Sequence, residues 1–237
     1  MTTPSQNEVL LEGTPLASPE WSHENHGTHF YRFFLQVPRL SGTPDILPVL
    51  LAEPQASLIE AGIPVRIQGQ MRSFNNRSGV GNRLVLTVYG QTIQPGSGES
   101  CNHIVLSGSL CKPPIFRRTP LGRSICDLML AVPRRYGRAD YLPVIAWGQL
   151  AVQANELQVG DAISLEGRVQ SRCRRRGAGC LRGVYDAPFS PFLYHSLAGS
   201  WFHKKEAQGH TCQGRTAPLD CVDMSPANRL LCFNSYF

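Results

Sequence analysis

Apolar residues alternate with polar ones in five stretches of the first half of the chain: Val9–Thr14, Phe30–Val37, Ile46–Leu51, Val65–Ser73 and Leu84–Tyr89. A period of two places successive side chains on opposite faces, so each stretch predicts a β-strand. In the second of them Phe30, Phe34 and Gln36 fall on one side, and Tyr31, Phe33, Leu35 and Val37 on the other. Both sides are apolar, which predicts one face lining a core and one awaiting a partner, another copy of the domain being one candidate. Pro54–Ala61 (PQASLIEA) is the helix-like piece and ends at Gly62, between the third and fourth strands. Trp21–Thr28 (WSHENHGT) reads as a polar loop, Phe74–Gly81 as a hairpin turn and Gln94–Ser100 (QPGSGES) as a short linker.

The pattern then recurs. Shifting the chain by 95 residues lays Val9-Leu10-Leu11-Glu12-Gly13 on Ile104-Val105-Leu106-Ser107-Gly108, and Leu35-x-Val37-Pro38-Arg39 on Leu130-x-Val132-Pro133-Arg134. Gly42, Asp45, Leu47, Pro48 and Val49 fall on Gly137, Asp140, Leu142, Pro143 and Val144. After three extra residues the shift is 98, and Gly62, Val65, Ile67, Gly69 and Ser73 meet Gly160, Ile163, Leu165, Gly167 and Ser171. Agreement at so many glycines, prolines and apolar positions means two repeats of one small domain. Five strands with a helix after the third is the element order of an OB-fold barrel. Another five-stranded barrel is the alternative. The expected architecture is therefore mostly β: two tandem five-stranded OB-fold barrels over residues 1–93 and 102–171, a linker at 94–101, and an irregular tail at 172–237.

The two repeats differ in chemistry. Where the second has Arg117, Arg118, Arg135, Tyr136, Arg138, Tyr141 and Trp147, the first has Ser22, His23, Leu40, Ser41, Thr43, Ile46 and Ala52. Guanidiniums pair with phosphates and aromatic faces stack on unpaired bases, so arginines interleaved with rings suit a single-stranded nucleic acid. Lys112–Gly122 (KPPIFRRTPLG) reads as a Pro-bounded loop between the first two strands, with Phe116, Arg117 and Arg118 at its tip and Arg123 just beyond. In an OB-fold that loop borders the binding cleft. The plainer reading of all these residues is a sheet edge with solvated arginines and half-buried rings. If they served only the barrel, both repeats would need them; the second repeat is therefore expected to bind, and the first to scaffold or oligomerise.

Charge supports that division. The formal net charge of +6 is unevenly spread: six Lys/Arg against eight Asp/Glu in residues 1–101, eight against five in 102–171, nine against four in 172–237. A basic second half implies a polyanionic partner. The N-terminus has no basic and apolar signal region and no long apolar run follows, so a cytoplasmic protein is expected. Cys101, Cys111 and Cys126 form no C-x-x-C pair, and His23 and His26 lack companions at ligand spacing; no metal and no cofactor are expected. No phosphate-binding glycine loop, G-x-S-x-G or carboxylate–histidine pairing is present, so the chain reads as a binding protein and not an enzyme.

Past Arg172 the alternation stops. Arg182–Ala187 (RGVYDA), which the repeat places opposite the closing strand Leu84–Tyr89, does not alternate, so the second barrel is expected to be incomplete. Five of the eight cysteines and three of the seven histidines lie in this tail. A zinc site fits their spacing poorly; a disordered basic extension and a reading frame lost near Ser171–Arg176 stay open, the abrupt break favouring the second.

Tyr141–Ala151 (YLPVIAWGQLA), followed by Val159-Gly160-Asp161-x-Ile163-x-Leu165-Glu166-Gly167-Arg168-Val169-Gln170-Ser171, resembles the bacterial single-stranded DNA-binding proteins, in their two-OB-fold form. The resemblance implies base stacking by Tyr141 and Trp147, with Arg135, Tyr136 and Arg138 along the same path. It further implies a homo-oligomer, a dimer presenting four OB units. The chain ends LLCFNSYF, unlike the acidic, Phe-ended tip of that family, so recruitment through such a tip is not expected. The expected function is sequence-tolerant binding of single-stranded DNA in replication, repair or recombination. An RNA-binding or protein-interaction OB module is the alternative.

Overall fold

A computed structural model of the chain describes residues 6–77, 83–172 and a strand at 190–194. The alternating stretches of the first repeat become β1 (Asn7–Pro15), β3 (Thr28–Val37), β4 (Asp45–Ala52), β5 (Val65–Asn75) and β6 (Leu84–Pro95), with the short helix α1 (Glu53–Ala56) after β4. β1 pairs with β3 at Thr14↔Gln36 and with β5 from Val9↔Gly69 to Gly13↔Val65. β3 pairs with β4, β5 with β6, and β4 runs parallel to β6 at Val49↔Val88. The circuit β1–β3–β4–β6–β5–β1 closes, and its order is that of an OB-fold. Pairing of β1 with β5 ends at Gly13 and pairing with β3 begins at Thr14, and a Cβ on Gly13 would lie 2.4 Å from the Gln36 carbonyl oxygen.

Inside that circuit, Leu11, Leu35, Leu47, Leu51, Ile67 and Met71 are wholly buried. Each such side chain contributes roughly 1.5–3 kcal/mol of burial. On β3 the core-lining face is that of Phe33, Leu35 and Val37, which are buried, while Phe30, Phe34 and Gln36 are half-buried on the other side.

Trp21–Thr28 is not a loop. β2 (Glu20–Asn25) pairs with β3 as a hairpin through His26 (φ 50°) and Gly27 (φ 74°). An edge strand has one neighbour and no face fully covered, so it need not alternate, and period-two reading passes over it.

The second repeat gives β7 (Cys101–Leu110), β8 (Ile115–Arg118), β9 (Ser124–Pro133), β10 (Ala139–Trp147), α2 (Gln149–Ala154), β11 (Ala162–Arg172) and β12 (Ser190–Tyr194). Lys112–Gly122 was expected to be a loop with Phe116–Arg118 at its tip. Those three residues instead lie on β8, an edge strand again, and the tip is the turn Thr119–Gly122 (Gly122 N–H to Thr119 O, 2.8 Å). Gly108 repeats the role of Gly13, with a Cβ 2.6 Å from the Ala131 carbonyl oxygen.

The closing position of the second circuit is held by β12, five residues where β6 has twelve. It runs parallel to β10 at Val144↔Leu193, the rung that Val49↔Val88 forms in the first repeat. The second barrel is thus the less complete one, and its closing segment lies further along than Arg182–Ala187, which falls outside the described residues.

A seam joins the repeats. β1 and β7 pair antiparallel from Asn7↔Leu106 to Glu12↔Cys101, fusing both circuits into one 12-stranded sheet. The buried Asp45 accepts from the Ser171 N–H (2.7 Å), Arg168 Nη2 (3.0 Å) and Arg39. The buried Asp140 accepts from the Ser73 N–H (2.6 Å), Arg72 Nη1 (3.1 Å) and Arg134. Each carboxylate therefore grips the end of a strand in the other repeat. The linker is latched by Glu12, which accepts from Ser97 Oγ and the Gly98 N–H, both at 2.8 Å, with Arg66 Nε at 3.2 Å. Among the described residues no helix is long and apolar enough to cross a membrane.

Candidate nucleic-acid interface

Residues paired across antiparallel strands share a face. On β8, β9 and β10 the rungs Arg117–Ile125–Trp147 and Ile115–Asp127–Ile145 therefore share the face turned away from the core residues Leu128, Leu130, Leu142 and Val144. Ile125 and Ile145 are themselves buried on it, and Met129–Pro143 and Ala131–Tyr141 continue it. Tyr141 and Trp147, six residues apart on β10, stand about 20 Å apart at ~3.3 Å per residue. Tyr141 is half exposed and Trp147 partly so.

Both ends of this face carry hairpin turns with exposed arginines. Beyond Tyr141 the chain turns through Arg135, Tyr136 and Gly137, closed by the Arg134 N–H to Arg138 O bond at 2.7 Å. Arg135 and Arg138 are exposed there, and Tyr136 is 96% exposed with a left-handed backbone (φ 62°, ψ 37°). That conformation costs a non-glycine residue about 1–3 kcal/mol. Beyond Trp147 lies the Thr119–Gly122 turn, flanked by the exposed Arg118 and Arg123. Exposed arginines thus stand in the turns at both ends of the face that carries Tyr141 and Trp147, Arg118 having the parity of Phe116 on β8.

Two expected residues stand differently. Phe116 packs partly buried against the core, on the side of β8 opposite Arg117. Arg117 is on the outward face but already paired: its Nε donates to Asp127 Oδ2 at 2.9 Å and its Nη2 to Oδ1 at 3.0 Å. The hydrogen bond to Asp127 raises the Arg117 pKa, with the charge of that carboxylate adding to it. On the inward side, burial and the charge of Asp127 push the Cys126 thiol up to about 11, so it is neutral and unreactive at ordinary pH. Among the described residues no group of three His, Cys, Asp or Glu is gathered as a metal site would need.

The first repeat has rings that position-by-position comparison passes over, because they sit on other strands. His23 on β2 stacks on Phe30 of β3 (5.0 Å between centroids, 12° between planes). Phe30 meets Tyr89 of β6 at 6.3 Å, and the Arg72 guanidinium lies 6.0 Å over Tyr89. Trp21 is 62% exposed nearby on β2. The signal was present in the outward series Phe30–Phe34, yet which strands flank it is a matter of topology.

Against known proteins, residues 101–181 match the profile of the Single-strand binding protein family. Over this stretch, about a third of the chain, it is similar to that family. The match takes in β7 to β11 and so the whole ring-and-arginine face. Among relatives, the single-stranded DNA-binding protein of Thermus aquaticus is 40% identical over 81 residues, 32% of this chain and 31% of that protein. Single-stranded DNA-binding protein 2 of Listeria innocua is 35% identical over 78 residues, 30% of this chain and 49% of that protein. The matched segment thus spans about a third to a half of these single-strand binding relatives. The crystal structure of the wild-type Thermus aquaticus protein superposes with a TM-score of 0.69 at 24% identity, covering 89% of this chain and 98% of that one. At that identity the likeness establishes the fold.

Proposed function

We propose that this chain binds single-stranded DNA with little regard to sequence, along the outward face of β8, β9 and β10. The observation that carries the reading is the pairing of bare rings with bare cations: Tyr141 half exposed on a face whose end turns hold the exposed Tyr136 with Arg135 and Arg138, and Arg118 with Arg123. Stacking is worth about 1–3 kcal/mol per base and asks nothing of base identity. Arginine–phosphate contacts supply the rest and weaken with salt: for single strands log K falls by ~0.7 per neutralised phosphate for each tenfold rise in salt. No base-edge donor array in the outward series Tyr141–Pro143–Ile145–Trp147 would read a sequence. Holding and protecting unpaired strands in replication, repair or recombination is the role such binding serves.

The first repeat is read as the lesser contributor. The row His23–Phe30–Tyr89 capped by Arg72 favours its adding a shorter contact track to its scaffolding part. The reading includes assembly: two chains would present four barrels, and light scattering is expected to give twice the 26.2 kDa chain mass.

Titration of fluorescent oligo-dT with the whole protein tests the binding. Tight binding of the single strand, weak binding of duplex, and steep weakening with salt are expected. Equal affinity for duplex, or no loss when Tyr141 and Trp147 are both changed to Ala, would end this reading. Preference for an oligo-U strand over oligo-dT would move it to RNA.

A further inference from the structure

The face described above has one acidic group, and it stands in the middle. Along β10 the outward residues are Tyr141, Pro143, Ile145 and Trp147, none charged, and β9 adds Ile125, Asp127, Met129 and Ala131. Asp127 faces Ile145, between the two rings. Any strand laid from Tyr141 to Trp147 must carry its phosphates past this carboxylate.

Arg117 neutralises Asp127 in a two-bond, fork-to-fork pair (2.9 and 3.0 Å), with side chains 48% and 34% exposed. A surface pair of this kind contributes little to the fold, and bidentate geometry makes it a well-ordered one. Its cost falls on binding: a guanidinium whose Nε–Nη2 edge is occupied and whose charge is neutralised by a carboxylate offers a phosphate less than a free one. The first repeat holds the opposite arrangement at the same positions, with Ser22 for Arg117 and the exposed cation Arg32 for Asp127. The barrel therefore has no need of a carboxylate there.

We propose that Asp127 is a resident counter-ion that holds Arg117 out of nucleic-acid contact, a brake on the affinity of the second repeat that a strand phosphate must displace. This inference rests on the reading that the β8–β9–β10 face binds single-stranded DNA. Arg117 then counts as a masked contact, released when a phosphate takes the place of the carboxylate.

The test is a double-mutant cycle on the full chain, reading oligo-dT affinity at several salt concentrations. Asp127→Asn, which keeps the shape and removes the charge, is expected to tighten binding about three- to tenfold at low salt and to steepen the salt dependence by ~0.7, the increment of one more phosphate. Arg117→Gln alone is expected to weaken binding about twofold, because it bares the Asp127 carboxylate without giving up a free cation. In the Asp127→Asn background the same Arg117→Gln change is expected to erase most of the gain. Melting temperatures of all three variants check that the fold is intact, and Asp127→Ser serves as a second charge-removing variant. Unchanged or weaker binding by Asp127→Asn and Asp127→Ser, or additive effects in the cycle, overturns the brake. If the unaltered protein binds oligo-dT and the Tyr141/Trp147 variant does not, such a result leaves the binding face standing and removes only this inference. If the unaltered protein fails to bind, both fall.

Discussion

Asp45 and Asp140 stand 95 residues apart and do the same thing to each other's repeat. Asp45 Oδ1 accepts the backbone N–H of Ser171, and Asp140 Oδ1 accepts that of Ser73. The seryl hydroxyls complete the exchange, Ser171 Oγ accepting from the Ile46 N–H at 3.0 Å and Ser73 Oγ from the Tyr141 N–H at 2.8 Å. Tyr141 is thereby tied by its backbone to the first repeat, so the seam also sets where a candidate stacking ring stands. Both carboxylates are wholly buried beside two guanidiniums each. Removing one carboxylate takes the shared acceptor from two part-buried cations, which costs up to about 3–5 kcal/mol. Asp45→Ala and Asp140→Ala are each expected to lose that much in urea denaturation, and Asp140→Ala to weaken oligo-dT binding as well.

For the rings, Tyr141→Ala and Trp147→Ala are each expected to cost about 1–3 kcal/mol of affinity for oligo-dT. Tyr141→Ala should leave the melting temperature nearly unchanged, since half of that side chain already faces solvent. Calorimetric titration beside a thermal melt separates the two quantities.

Tyr136 offers a trade between fold and function. Its left-handed backbone suits glycine, and its side chain touches little. Tyr136→Gly is expected to hold or raise stability by up to about 1 kcal/mol while lowering affinity for a single strand. Loss of stability on this change would mean that the ring packs in solution.

Glu12 makes stability depend on pH. Burial alone would raise its pKa, but hydrogen bonds from Ser97 and Gly98 and the Arg66 guanidinium outweigh that, and its pKa in the fold is lowered. A depressed carboxyl stabilises the fold above its unfolded value, about 4.3, and that contribution is lost as pH falls through the folded value. Glu12→Gln is therefore expected to be less stable than the unaltered chain at neutral pH, the gap narrowing below about pH 4. Denaturant midpoints measured across pH check it.

Gly13 and Gly108 should fail alike. A methyl group at either would press on a carbonyl oxygen of the neighbouring strand, Gln36 or Ala131, themselves 95 residues apart. Each Gly→Ala change is expected to cost at least about 1–3 kcal/mol in thermal or chemical denaturation.

The order of residues by itself makes legible whatever leaves a local or repeated trace. Alternation at Val65–Ser73 or Leu84–Tyr89 marks a strand because one face is buried, and the 95-residue recurrence of Leu35-x-Val37-Pro38-Arg39 marks a second barrel. Edge strands such as β2 and β8 bury neither face fully, so Trp21–Thr28 and Ile115–Arg118 carry the pattern of loops. The short β12 sits beyond the point where the repeat loses register, which hides the closing position of the second circuit.

The residues of the candidate face divide in the same way. Their types, rings and arginines absent from the first repeat, belong to the amino-acid sequence alone. Which of them are available was decided by neighbours brought together from distant parts of the chain: Phe116 turned inward by the parity of β8, Arg117 captured by Asp127 across a hairpin, Tyr141 pinned by Ser73 from the other repeat. Side-chain alternation depends on a residue and its immediate neighbours, whereas a charge is masked or a ring bared only by the strand that comes to lie beside it.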